Sequence, residues 1–134
     1  MALDIYMIGV IAKNMAKSLE FYRRLGLAIP DDSDGKTHVE VRMGSGLTFF
    51  LDSRQIRFDP QYAESPAPEQ ARSTGSYPFL LEFYVEERPV LEAKYQEMMT
   101  AGYESLRAPY DTAFGMRFAF IKDPDGNAIL LSAK

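Results

Sequence analysis

One helical pattern occurs twice in this chain. In "NMAKSLEFYRRLG", Met15, Leu19 and Tyr22 recur at i, i+4 and i+7, Asn14 stands where a cap belongs, and Gly26 where a left-handed C-terminal residue is wanted. "RPVLEAKYQEMMTAG" repeats the layout with Leu91, Tyr95 and Met98, with Pro89 in the first turn and Gly102 at the end. Met15 and Leu91, Leu19 and Tyr95, Tyr22 and Met98, and Gly26 and Gly102 are all 76 residues apart. An internal repeat restricts the chain to two copies of one supersecondary unit.

Strand-like runs flank each helix. "LDIYMIGVI" precedes the first, and "THVEVRM" and "GLTFFLD" follow it, joined by a Gly-Ser-Gly turn at 44–46. "YPFLLEFYV" precedes the second, and "MRFAFIKD" and "NAILLSA" follow it, joined by the Asp-Pro-Asp-Gly turn at 123–126. Gly46 and Gly126 are 80 residues apart, so the copies differ by a few loop residues. Each copy therefore reads as strand, helix, then two or three strands, with modules at 1–52 and 79–134. The connection over 53–78 is rich in Pro, Ser and charge. It is either a solvated linker or a loop packed down through Ile56, Phe58 and Tyr62.

Alternation along the strands sorts their faces. Val39, Val41 and Met43 face the helix, and His38, Glu40 and Arg42 the other side. Leu47, Phe49 and Leu51 oppose Thr48, Phe50 and Asp52 in the same way, and Leu81, Phe83 and Val85 oppose Leu80, Glu82 and Tyr84. The side turned from the helix is thus mixed, with apolar and aromatic groups among scattered charges.

At 134 residues the chain suits one domain with a genuine core, and 46% apolar content argues against disorder. The absence of cysteine excludes disulfides, thiolate zinc sites and cysteine nucleophiles, and fits a cytoplasmic protein. "MALDIYMIGVIA" reads as a strand: Asp4 stands where a leader is basic, and the run is shorter than the ~18 apolar residues a membrane span needs. Fifteen basic against 19 acidic residues, with no basic run, argue against nucleic acid as a partner. No Gly-x-Ser-x-Gly elbow is present, and His38 is the one histidine that a Ser-His-Asp arrangement can use. "DPDGNAILL" opens like a calcium loop but lacks the alternating acidic ligands and closing Glu, so it reads as a turn.

Together, "KNMAKSLEFYRRLGL", the second copy ending in "AGY", and "AFGMRFAFIKDPDGNAILL" resemble the vicinal oxygen chelate superfamily of glyoxalases, bleomycin-resistance proteins and extradiol dioxygenases. The resemblance covers nearly the whole chain. It implies an α+β fold of two tandem βαβββ modules, with curved mixed sheets forming a cup, in a homodimer. Metal-dependent members carry ligands on the first and last strand of each module. Carried onto this chain, those points fall on Met7 and Phe50, and on Leu80 (or its neighbour Pro78) and Leu130. None is a usual ligand: catalytic divalent metals want imidazole nitrogen and carboxylate oxygen, and His38 is the chain's one histidine.

The resemblance is therefore to the metal-free, bleomycin-resistance type, which sequesters a drug without chemistry or cofactor. Expected ligand-binding residues are Met7, Phe50, Leu80, Tyr84 and Leu130, with Glu82 facing a ligand cation. The loop "APYDTAFG" is expected to add Tyr110 and Phe114; many relatives have Trp where this chain has Phe114. Each of these residues has a plainer reading as core or surface, and Glu82, if buried, needs a partner such as Arg117 or Arg42. The rival function is a metal-free enzyme using Glu82 or Glu40, with Tyr84 or Tyr110, for proton transfer on a small carbonyl substrate.

Overall fold

The computed structural model describes residues 2–53, 77 and 79–134. Pro78, and Ile56, Phe58 and Tyr62 of the connection over 53–78, lie outside the described residues. The chain is α+β and divides into two compact units, Met1–Pro68 and Glu69–Lys134. Among the described residues no helix is long and apolar enough to cross a membrane.

In the first unit, β1 (Met7–Ala12) leads into α1 (Met15–Leu25), then a short 3-10 turn at Asp31–Ser33, β2 (His38–Arg42) and β3 (Thr48–Ser53). Asn14 caps α1 as its spacing predicts, its side chain accepting from Lys17 N–H at 3.1 Å, and Gly26 ends it at φ 121°. The helix buries Leu19, Phe21, Tyr22 and Leu25, with the Tyr22 ring 5.2 Å from that of Phe49. The sheet order is β1-β3-β2, with β1 parallel and β2 antiparallel to β3. Of the expected helix-facing set, Val39, Val41, Phe49 and Leu51 are buried and Met43 and Leu47 half-buried, and Val10 of β1 is buried beside them. Full burial of each such side chain contributes roughly 1.5–3 kcal/mol.

The second unit runs β4 (Leu81–Tyr84), α2 (Arg88–Thr100), β5 (Ser105–Asp111), β6 (Arg117–Lys122) and β7 (Ala128–Ala133). Its sheet order is β4-β7-β6-β5, with β4 parallel to β7 and the other pairs antiparallel. Leu91 and Met98 on α2 are buried, along with Ile121, Ile129 and Leu131 of the sheet. The Tyr95 hydroxyl donates to Ser105 Oγ at 2.7 Å, tying the helix to β5.

The copies differ by more than loop residues. The second unit is a full βαβββ module, whereas the described part of the first has only two strands after its helix. Residues 27–37 hold Pro30 and the run Asp31, Asp32, Ser33, Asp34, Gly35, which suits neither a ladder nor a half-buried face. Conversely, Ala108–Asp111, expected as loop, belongs to β5, and only the turn that follows is irregular. The leading strands are also shorter than their apolar runs: residues 2–6 lie outside β1, and Leu3, Ile5 and Tyr6 are exposed.

Three hairpins close in one way. Met43 N–H donates to Leu47 O at 2.8 Å, Thr112 N–H to Met116 O at 2.7 Å, and Asp123 N–H to Asn127 O at 3.0 Å. Each has a glycine at positive φ just before the strand resumes, at Gly46, Gly115 and Gly126. This is the three-residue connection whose last residue must be left-handed, which glycine adopts without steric cost. In the third hairpin, buried Asp123 Oδ1 also accepts from Asp125 N–H at 2.9 Å and Asn127 N–H at 2.8 Å, and Oδ2 from Asn127 Nδ2 at 2.9 Å. The acidic start of "DPDGN" is thus a turn brace. Asp123→Ala should lower stability by about 1–3 kcal/mol, seen as a lower urea midpoint at unchanged slope. Asp4→Ala, at an exposed position, should stay within about 0.5 kcal/mol.

Candidate functional site

The face of the second sheet turned from α2 is built in two rows across its strands. Glu82 pairs with Leu130, Leu130 with Phe120, and Phe120 with Arg107; Tyr84 pairs with Ser132, Ser132 with Phe118, and Phe118 with Tyr110. Phe118 and Phe120 alternate with buried Ala119 and Ile121, so one strand supplies two rings to the face and two aliphatic groups to the core.

Four rings meet there. Tyr110 lies 6.1 Å from Phe118, edge to face, and 6.5 Å from Phe120, stacked. Phe118 contacts Phe120 at 6.2 Å and Phe114 at 5.6 Å, both edge to face. Phe114, on the β5–β6 turn, remains 69% exposed. An exposed ring joined to a cluster offers a stacking surface that water solvates poorly. Arg107 lays its guanidinium over the Tyr110 ring, 3.5 Å from the centroid.

The turn carrying Phe114 is braced at its base. Asp111 Oδ1 accepts from Arg88 Nη1 at 2.8 Å and Arg117 Nη1 at 3.0 Å, Arg88 Nη2 donates to Gly115 O at 3.2 Å, and Arg117 Nε donates to Glu92. Each of these exposed pairs is weak by itself, but together they hold the turn to α2.

Glu82 is exposed, and its partner is Ser132 rather than an arginine: buried Ser132 Oγ donates to Glu82 Oε2 at 2.8 Å. Arg117 is instead held by Glu92 and Asp111. Leu80 immediately precedes β4 and is exposed. Tyr84 is exposed, Tyr110 half-buried and Leu130 buried. Five expected residues, Glu82, Tyr84, Tyr110, Phe114 and Leu130, thus belong to this one sheet and its turn.

Met7 and Phe50 belong to the first unit's sheet. Met7 is half-buried opposite Thr48, and Phe50 pairs with Gly9 on one side and Glu40 on the other. The Phe50 ring lies over Gly9: a Cβ at residue 9 would sit 2.0 Å from Phe50 Cζ. Beside it, 5.4 Å from the Phe50 ring, is His38. His38 Nδ1 bonds buried Asp52, and Nε2 bonds Glu40 at 2.8 Å. The cross-strand pairing of His38 with Asp52 creates this clamp, which the alternation of faces permitted but did not single out.

The Glu40 hydrogen bond, and then Asp52, raise the His38 pKa above its usual 6.5, with partial burial opposing them. The protonated clamp therefore stabilises the fold fully below the usual imidazole value, and that contribution is lost as pH rises through the higher folded value. Wild type should exceed His38→Gln in thermal midpoint most at about pH 5.5 and least above about pH 8. With the histidine half exposed, the difference should stay below about 1 kcal/mol. A gap that widens with pH would contradict the clamp. Gly9→Ala should cost about 1–3 kcal/mol, and less in a Phe50→Ala background, as a double-mutant cycle would measure.

The points that the resemblance assigns to metal ligands, Met7, Phe50, Leu80 and Leu130, offer a thioether, a ring and two alkyl groups. A divalent cation finds no nitrogen or oxygen side-chain donor among these residues. Among the described residues no group of three His, Cys, Asp or Glu is arranged to hold a metal ion.

The family model described as Glyoxalase/Bleomycin resistance protein/Dioxygenase superfamily matches residues 4–131. Solved structures share the fold at low identity. A glyoxalase-related enzyme from Fulvimarina pelagi is 16% identical, covering 99% of this chain and 89% of its own, with TM-score 0.77. A glyoxalase/bleomycin resistance protein/dioxygenase family enzyme from Burkholderia phytofirmans PsJN is 14% identical, covering 98% of each chain, with TM-score 0.74. A lactoylglutathione lyase from Agrobacterium tumefaciens is 16% identical, covering 99% and 95%, with TM-score 0.66. No curated protein matches the chain.

Proposed function

Since the chain belongs to the glyoxalase/bleomycin resistance protein/dioxygenase superfamily, we propose that it is a metal-independent binding protein that sequesters a small aromatic or cationic molecule. The observation that carries this reading is the ring cluster of Tyr110, Phe118 and Phe120 extended to solvent by Phe114. Stacking on such rings contributes about 0.5–1.5 kcal/mol beyond the area buried. Exposed Glu82, on the same face, supplies a counter-charge for a ligand cation.

The proton-transfer reading draws less support. Glu82 already accepts from Ser132 and Glu40 is engaged by His38, and both carboxylates are exposed rather than held in an apolar pocket. The resemblance further implies a homodimer, the absence of cysteine fits the cytoplasm, and sequestration of a drug there would confer resistance.

Thermal-shift and titration measurements with bleomycin and with planar aromatic cations test the proposal. Phe114→Ala and Glu82→Ala should each weaken the best of these ligands about tenfold, or about 1.4 kcal/mol. Dialysis against a chelator should leave its affinity unchanged. Binding that ignores both substitutions, or turnover that needs stoichiometric Zn, Ni, Fe or Mn, would overturn it.

A further inference from the structure

On the same sheet face, the edge opposite Glu82 carries a cation. Glu82 on β4, Leu130 on β7, Phe120 on β6 and Arg107 on β5 stand side by side in one row. At about 4.8 Å per strand, the two charges are anchored roughly 14 Å apart with apolar side chains between them.

Arg107 reaches this face through an irregularity. The β5–β6 register shifts between Arg107 and Tyr110, so that three steps along β5 match two along β6, from Phe120 to Phe118. A bulge of this kind lets residues three apart share a face, which a regular strand forbids. Pro109 within it has no N–H to give to the ladder and is tolerated because β5 is an edge strand.

Stacking on Tyr110 occupies the flat side of the guanidinium and leaves its N–H donors in plane at the rim. Arg88 and Arg117 are both committed to Asp111, whereas Arg107 forms no ion pair among the described residues. An exposed, flat-held fork matches a carboxylate, which takes two parallel hydrogen bonds from it.

We propose that Arg107, held on Tyr110, is an anion subsite, and that the ligand is a bipolar aromatic molecule with a cationic group toward Glu82 and a carboxylate toward Arg107. This rests on the binding function proposed above and narrows its ligand class.

Three biphenyl probes test it: one with an aminomethyl group and a carboxylate at opposite ends, one with the amine alone and one with the carboxylate alone. Titrated into the full chain, the bipolar probe should bind about tenfold or more tighter than either single-charge probe. Arg107→Gln should weaken both carboxylate-bearing probes about tenfold while the amine probe binds at least as well, a like charge having been removed. Arg107→Lys should recover only part of that loss, because a point charge does not replace the planar fork. If the carboxylate probes bind equally well to wild type and Arg107→Gln while the amine probe depends on Glu82, the anion subsite is wrong and the binding function stands. If none of the three probes binds, both fail.

Discussion

The glycine hairpin is the constraint on which the rest depends. A three-residue connection ending in a left-handed glycine admits one register, and once Met43 faces Leu47, His38 must face Asp52 and Glu40 must face Phe50. Likewise, once Asp123 faces Asn127, Phe120 must face Leu130 and Phe118 must face Ser132. A slip of one residue would turn every side chain of β3 or β7 to the wrong face, and the Asp123 brace resists it.

The two hairpins share a geometry and diverge in chemistry. At the 80-residue offset of the glycines, His38 answers to Phe118, Glu40 to Phe120, Phe50 to Leu130 and Asp52 to Ser132. The first copy thus carries a histidine clamped between two carboxylates, whose hydrogen bonds are met within the sheet. The second carries an aromatic cluster with Phe114 still largely in water. Apolar surface left exposed on a held scaffold gains most from a partner, which locates the binding reading on the second sheet rather than the first.

Much of this was legible in the residues. The Asn14 cap and Gly26 end of the first helix, Pro89 in the first turn of the second, the alternation of Val39 and Val41 and of Phe49 and Leu51, and the hairpin glycines Gly46 and Gly126 follow from short-range rules, and the structure has them where those rules put them. Phe118 and Phe120 are absent from the expected site, although the alternation of "RFAFIK", as plain as that of "HVEVR", would have put both rings on one face. The extra strand β5 was hidden because Pro109 and the bulges break the alternation by which a strand is recognised.

From the sequence alone came the family resemblance, the twofold module plan and the lack of ligand chemistry at Met7, Phe50, Leu80 and Leu130, because each depends on residue identity and near-neighbour spacing. Only the tertiary structure decided that Glu82 answers to Ser132, 50 residues away, and that Arg107 rests on Tyr110. Those contacts depend on the parallel pairing of β4 with β7 and on a bulge in an edge strand. Neither leaves a local periodic trace, because both are set by how strands far apart in the chain come to lie side by side.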